Sequence, residues 1–537
     1  MTRRTLIVRA LTVLAGAVVW CALLLPDQLQ RLTPAAAVAV PVEVLAVIVP
    51  ALLLARRGRL ALAVPIGLLI AVLTVVGVLD LGFEAVLDRP MNPISDGPLV
   101  GAGEDYLTGT GGPLLAVGGT VLAVVAILGM VAAITASVVR LANAFSRHRR
   151  GGIAVAVAVA LAWVTCLALG VQSAPGVPVA ARNDALRLDG LVTRTQAGAR
   201  SQREYAAALA ADRFAGAAPG SLLSGLRGKD VILVFVESYG RSALEDPRLD
   251  AGVLSVLATA TDRLQADGFG ARSGWLTSPT FGGSSWLAHS TLLSGTWVDN
   301  QNRYATLLHS RRLTLTRAFG DGGWRTVAVM PATRGPWPQG AVYDYATVDP
   351  LESLDYHGPA FGWASMPDQF ALSALQRKEL AAPHPPVMSV VELVSSHAPW
   401  SRIPEQAPWE SLGDGSEFST LPAITTGASV ADLSGLRAAY AQSVQYSLTC
   451  LLDFVRRTAN PNTVLVFLGD HQPAVAVTGP GASHDVPISV VTRDRSVLDT
   501  VGTWGWTPGL VPAPTVAPWR MDAFRDRFLA AFSPGAG

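Results

Sequence analysis

Five runs of apolar residues, near 7–25, 36–55, 60–80, 114–139 and 152–172, constrain this chain most. Each is long enough to cross a hydrocarbon core of about 30 Å, which takes roughly 20 helical residues. The first run follows Arg3 and Arg4, as a signal peptide would. No A-x-A-like site follows it directly, however, and four more runs come after, so it reads as a span. Basic residues mark alternate loops: Arg3 and Arg4, then Arg56, Arg57 and Arg59, then Arg140, Arg147, Arg149 and Arg150. Loop 81–113 instead carries Glu84, Asp88, Asp96, Glu104 and Asp105 against Arg89. This bias predicts the N-terminus inside and, after five spans, everything beyond about 173 outside. No span carries an acidic pair or a broken-helix pattern, which argues against a transporter. A mean hydropathy of +0.37 over 537 residues agrees with a partly membrane-embedded chain.

The rest of the chain is polar enough to fold in water. From Ser173 the sequence turns polar, and 182–214 reads as a partly helical connector. The expected organisation is a five-span transmembrane domain over 1–175, a helical linker over 176–227 and a soluble domain over 228–537. The net charge of +1 and the absence of a basic stripe exclude a nucleic-acid partner. Cys21 and Cys166 lie in apolar runs and Cys450 in a helical pattern. None has a CxxC partner, so neither a thiolate metal site nor a disulfide framework is expected.

In the soluble part, VILVFVES (231–238), TVAVM (326–330), VMSVVEL (387–393), TVLVFLGD (463–470) and PISVVT (487–492) read as buried strands. Helical patterns such as 252–266 and 433–457 alternate with them, which predicts an α/β domain with a mainly parallel sheet between helices. Ligand sites in such sheets lie at the carboxyl ends of the strands. Glu237, His397, Asp470 and His471 follow those ends. Carboxylates and imidazoles brought together there suit a divalent ion such as Zn or Mn. One such residue alone serves equally well as a cap or turn partner, but nothing structural demands the adjacent pair Asp470–His471. The segment SPTFGGSSWLAHSTLLSG (278–295) places two serines where a helix begins. A serine there is either an N-cap or, if a metal lowers its pKa, a nucleophile facing an anion.

In this order and spacing, the segments resemble the alkaline phosphatase/sulfatase superfamily. The likeness is greatest to its membrane-anchored branch of lipoteichoic acid synthases and lipid A phosphoethanolamine transferases. The resemblance covers the span layout and about 229–495. It implies that Glu237, Asp470, His471 and the Ser285 oxygen hold one divalent metal, Mn or Zn. It implies Ser285 as nucleophile, with Ser284 one residue away as the alternative. His397 in SSHAPW and His484 in GASHDVPISV match histidines that contact the phosphoryl group, and Arg334 in MPATRGPW matches a substrate-binding arginine. The chain departs from the family in carrying serine for the usual threonine nucleophile and Asp470-His471-Gln472 for D-H-G. It has no C-x-P-S-R, which disfavours sulfatase chemistry through formylglycine. Its scarcity of cysteine tilts the likeness toward the phosphoglycerol transferases. The implied function is transfer of a phospho-head-group from a membrane lipid to an envelope glycan or lipid acceptor, through a covalent phospho-serine. The alternatives are a hydrolase of the same fold (a phosphodiesterase or a sulfatase) and a non-catalytic envelope scaffold. The implied place is the cell membrane, with the catalytic domain extracytoplasmic. After about 496 the chain reads as a Pro-rich surface segment and a short helix over 521–532, with no functional reading.

Overall fold

The computed structural model describes residues 3–26, 28, 31–97, 99–218, 220–361, 363–381, 383–400, 403–424, 432–458 and 460–533. The chain divides into two compact units, 1–85 with 89–200 and 86–88 with 201–537.

The first unit is helical: α1 (Arg3–Leu24), α2 (Val44–Leu53), α3 (Arg56–Leu87), α4 (Leu99–Arg147) and α5 (Arg149–Ala168). A sixth helix, α6 (Asn183–Ala210), begins in this unit. Four stretches are long and apolar enough to cross a membrane: α1, α3, the Gly112–Arg147 part of α4, and α5. The second expected run departs from a continuous span. Over 36–55 the chain forms part of a 3-10 helix (Pro34–Val38), a two-residue strand at Val40–Pro41, and the ten-residue α2 with Pro50 inside. Proline removes a backbone donor and fixes φ, so Pro41 and Pro50 divide this run. At 1.5 Å per residue α2 is about 15 Å long, half of a hydrocarbon core. Val19, Leu23, Val47, Ala63, Ile70, Ile134 and Val138 form the interior of this unit. Gly67 lets α3 approach α4 closely, because a Cβ there would lie 2.9 Å from the Cα of Thr135. Elsewhere apolar side chains face outward: Leu114 is 89% exposed, Val13 74% and Leu161 62%. Such surfaces belong in lipid, and this is a membrane protein.

The second unit is built on a nine-stranded sheet. Its strands are β1 (Asp230–Val236), β2 (Gly270–Thr277), β3 (Arg325–Met330), β4 (Thr347–Pro350), β5 (Val387–Leu393), β6 (Thr463–Gly469), β7 (Asp485–Thr492), and the short β8 (Thr507–Pro508) and β9 (Trp519–Arg520). The order is β8-β2-β7-β6-β1-β5-β3-β4, and β9 also pairs with β2. From β6 to β4 every pairing is parallel, with β1 in register between β6 and β5. β7 runs antiparallel to both β6 and β2. The expected strands are all present, and β2 is an addition. Its sequence GARSGWLT has no continuous apolar run, because Gly270 and Gly274 leave room for Leu498 and Trp506.

Residues of β1 alternate between two cores, as period-two geometry requires. Ile232, Val234 and Val236 join a cluster with Leu257, Phe370, Tyr440 and Leu448 from α7 (Asp250–Ala266), α9 (Asp368–Lys378) and α10 (Leu433–Arg457). Val231, Leu233 and Phe235 join Leu292 of α8 (Ser285–Ser294) and Phe524 and Leu529 of α11 (Ala523–Phe532). Each such buried side chain contributes about 1.5–3 kcal/mol. The C-terminal helix is thus core. Its Arg525, 0% exposed, pairs with Asp212 at 2.8 Å and also donates to the Leu313 carbonyl.

Candidate active site

Apolar strands in the middle of the sheet carry charged residues to a common edge. All seven residues of β1 are buried, and the chain turns at Ser238, whose φ is 56°. Glu237, at the start of this turn, is 7% exposed. Its Oε1 accepts from the Ser238 hydroxyl at 2.7 Å, and its Oε2 accepts from Ser285 Oγ at 2.8 Å. Beside it β6 ends at Gly469, where a Cβ would lie 1.8 Å from the Tyr239 carbonyl oxygen, so only glycine fits. Asp470 and His471 follow, each 1% exposed. Asp470 Oδ1 accepts from the amides of Ser238 and His471, at 2.7 and 2.8 Å. His471 Nδ1 lies 2.7 Å from the Gln472 carbonyl oxygen. A carbonyl only accepts, so Nδ1 carries a proton, and in the neutral ring Nε2 presents its lone pair. That nitrogen is 3.1 Å from Ser285 Oγ, 3.5 Å from Glu237 Oε1 and 3.6 Å from Asp470 Oδ2. Gln472 ties this turn down, donating to the Ser483 carbonyl and accepting from the Ser242 amide.

Ser285 is the first residue of α8. Before it, Gly282 (φ 69°) and Ser284 (φ 64°) take left-handed conformations. A serine at positive φ is strained, and the turn aims the next hydroxyl at Glu237 and His471. Of the two serines, Ser285 is the one that meets these groups.

The charges interact strongly. Burial would raise the Glu237 carboxyl, but the positive charges of His397 and His471 and the Ser238 hydrogen bond outweigh it and hold the group well below its ordinary range. Asp470 shifts the other way, raised by burial and by the charge of Glu237. Its Oδ2 is buried without a hydrogen-bond partner. One donor atom each from Glu237, Asp470 and His471 lies within 4.8 Å of the others. Two carboxylates, an imidazole lone pair and an unsatisfied buried oxygen make a donor set that fits a divalent ion.

The remaining expected residues are placed differently. His397 follows β5 and stacks on Trp363 with ring centroids 3.6 Å apart. Its Nδ1 lies 2.5 Å from the Ala398 carbonyl oxygen, and its charge acts on Glu237. Burial lowers its pKa, and Glu237 opposes that shift. His484 stands just before β7, its ring 5.2 Å from Phe281 and its carbonyl accepting from the Ser278 amide. Because β7 is antiparallel, its start lies at the edge where β1 and β6 end. Arg334 is exposed on the loop after β3, within electrostatic reach of Glu352. Among the described residues no hydrogen bond or ion pair joins it to Glu237, Asp470 or His471.

Sequence reasoning missed His289 and Glu392. His289 lies on α8, packs its ring on Phe235 with centroids 4.0 Å apart, and holds Nδ1 3.0 Å from Glu392 Oε1. The signals were present: His289 is four residues beyond Ser285 on one helix, and Glu392 is the one charged residue in VMSVVEL.

Residues 229–487 match the family model for sulfatases. No curated protein matches the chain. Among solved structures, the integral membrane lipooligosaccharide phosphoethanolamine transferase EptA of Neisseria meningitidis is 13% identical, over 89% of this chain and 87% of that one, with a TM-score of 0.46. The lipoteichoic acid synthase LtaP of Listeria monocytogenes is 14% identical over 54% and 70%, with a TM-score of 0.36. The phosphoglycerol transferase GacH of Streptococcus pyogenes, solved with sn-glycerol-1-phosphate, is 16% identical over 54% and 73%, with a TM-score of 0.34.

Proposed function

We propose, for a chain that carries a sulfatase-family domain over residues 229–487, that it is a metal-dependent transferase. It moves a phosphoglycerol-like head group from a membrane lipid to a glycan or lipid acceptor of the cell envelope. One observation carries this reading: the Ser285 hydroxyl lies 2.8 Å from Glu237 Oε2 and 3.1 Å from His471 Nε2, at the mouth of a buried donor cluster. A purely structural cap would bond a backbone amide, whereas α8 has no side-chain cap bond at its start.

In this reading Glu237, Asp470, His471 and Ser285 Oγ hold one divalent ion, Zn or Mn. Such an ion lowers the pKa of a bound hydroxyl and offsets charge on phosphoryl oxygens. Glu237 Oε2 is placed to take the Ser285 proton. Ser285 Oγ then forms a bond to phosphorus as the bond from phosphorus to the lipid oxygen breaks, and diacylglycerol leaves with a proton. His397 and His484 stabilise charge on the other phosphoryl oxygens and supply that proton. The acceptor hydroxyl reverses the step and frees Ser285. Arg334 would meet the substrate only as it enters, since it is exposed.

The arginine bias of the loops supports a multi-pass protein of the plasma membrane with this domain on its outer side. The three described cysteines are free, which favours the phosphoglycerol transferases over disulfide-rich relatives. To test the proposal, purified full-length protein is incubated with Mn²⁺ or Zn²⁺ and phosphatidylglycerol bearing a fluorescent acyl chain. The expected result is metal-dependent release of fluorescent diacylglycerol and a glycerophosphoryl adduct on Ser285 by mass spectrometry, both absent in Ser285→Ala. Repeated turnover that frees glycerol phosphate into solution, with none carried to an added glycan or to a second lipid, would favour a phosphodiesterase. No release from this lipid or a phosphatidylethanolamine analogue would overturn the transferase reading.

A further inference from the structure

His289 lies one turn beyond Ser285 on α8, so both side chains share a helix face. The Phe235 ring supports its imidazole at 4.0 Å, and Glu392 Oε1 holds Nδ1 at 3.0 Å. A carboxylate only accepts, so Nδ1 carries the proton and Nε2 of the neutral ring is a bare lone pair. That lone pair faces Asp470 Oδ2, itself an acceptor, across 3.9 Å. Both atoms are buried, and neither has a hydrogen-bond partner. The separation is too long for a hydrogen bond. It suits two donors to one cation, since ligand bonds to such ions run about 2.0–2.2 Å each. A carboxylate on the far nitrogen is also how metal-binding histidines are commonly held, because it fixes the tautomer and the ring plane.

We propose that His289 is a metal-binding residue of this centre. It donates from Nε2 to the ion that Asp470 holds, and Glu392 positions it. The inference rests on the metal-dependent reading above and adds a donor to it: the sheet supplies Glu237, Asp470 and His471 from strand ends, and α8 supplies Ser285 and His289 from one face.

The test uses full-length wild type, His289→Ala and Glu392→Gln in detergent. Zn²⁺ affinity is measured by competition with a chromophoric chelator, and the visible absorption of the Co²⁺-loaded proteins reports the donor set. Glu392→Gln is expected to weaken Zn²⁺ binding by about 10- to 100-fold, and His289→Ala by at least as much. The cobalt bands of His289→Ala are expected to shift as a nitrogen donor is lost. Metal-free melting temperatures close to wild type show that the loss is not one of folding. If His289→Ala does not fold, Glu392→Gln keeps the imidazole and carries the test alone. Variants that bind Zn²⁺ as tightly as wild type, with unchanged cobalt spectra, would overturn this proposal while leaving the metal centre intact. A wild type that binds no metal would sink both, so the two failures are distinguishable.

Discussion

The two units of this molecule treat the same side chains in opposite ways. In the first, many leucines and valines face outward along α1, α3, α4 and α5, while the interior combines Val, Leu and Ile with alanines and with Gly67 at a close helix contact. In the second, Val86 and Leu433 are the large apolar side chains that stand exposed among the described residues. There the buried positions include Asp212, Glu237, Asp368, Asp470 and Arg525. The difference follows from the solvent each surface meets. Lipid gives no reward for hiding a leucine, so the apolar helices of the first unit gain by packing, and its buried charges, such as Asp184 with Arg187, are few. Water does, and the second unit uses that gain to hold charges in its interior.

The sharpest way to break this comparison is to remove the one hydroxyl on which the proposed chemistry turns. Ser285→Ala should lower turnover by about 10⁴-fold or more, the scale seen when a nucleophile is deleted, while the melting temperature stays near wild type. A variant that retains activity would move the chemistry elsewhere.

Next in size is the ion pair under the C-terminal helix. Asp212 lies against Arg525 and Arg312, with side chains 4%, 0% and 4% exposed. Asp212→Asn leaves the buried Arg312 guanidinium without a carboxylate, while Arg525 keeps Asp526, and should cost about 3 kcal/mol of unfolding free energy at neutral pH. Burial would raise the Asp212 carboxyl, but the hydrogen bonds and charge of Arg525 more than reverse this, so its folded pKa lies below the unfolded value. The stabilisation is therefore complete above the ordinary value of about 3.9 and is lost as pH falls through the lower folded value. Denaturant titrations of both proteins should converge below about pH 4. A gap that persists there would mean the aspartate acts by shape rather than charge.

A matched pair of truncations tests the solvents directly. Leu465→Ala, in the fully buried β6, should cost about 2–5 kcal/mol. The same change at Leu161, 62% exposed on α5, should cost well under that in micelles, because it opens no cavity. Equal losses would show Leu161 to be packed against protein. The smallest effect is expected at Arg334, whose exposed side chain predicts a change within about 0.5 kcal/mol on Arg334→Ala. A raised KM with unchanged stability would bring it into substrate capture.

Much of this was legible from local pattern. Strands buried on both faces are continuous apolar runs, so β1, β3, β5, β6 and β7 announced themselves, and the groups at their ends followed from sheet geometry. What local pattern hides is partnership. Nothing near Glu392 in sequence says that it faces a histidine on α8. β2 escaped because its glycines serve neighbours from far along the chain, and the short helix over 521–532 was legible as a helix but not as core, because its phenylalanines join the residues of β1 only in the fold. The run at 36–55 was read by hydropathy alone, which overlooks what proline does to a helix.

Asp470 also clamps the turn after β1, through a bond from the Ser238 amide that spans 232 positions of sequence. That bond carries a consequence for assembly. The parallel pairing of β1 with β6 is a contact of high order, and such contacts close late and slowly. Until β6 arrives, β1 lacks its neighbour on that side and exposes an apolar edge suited to unwanted pairing. The same late event brings Asp470 and His471 to Glu237. Metal uptake should therefore report the completion of folding, with the donor cluster forming only when the C-terminal third of the chain is in place.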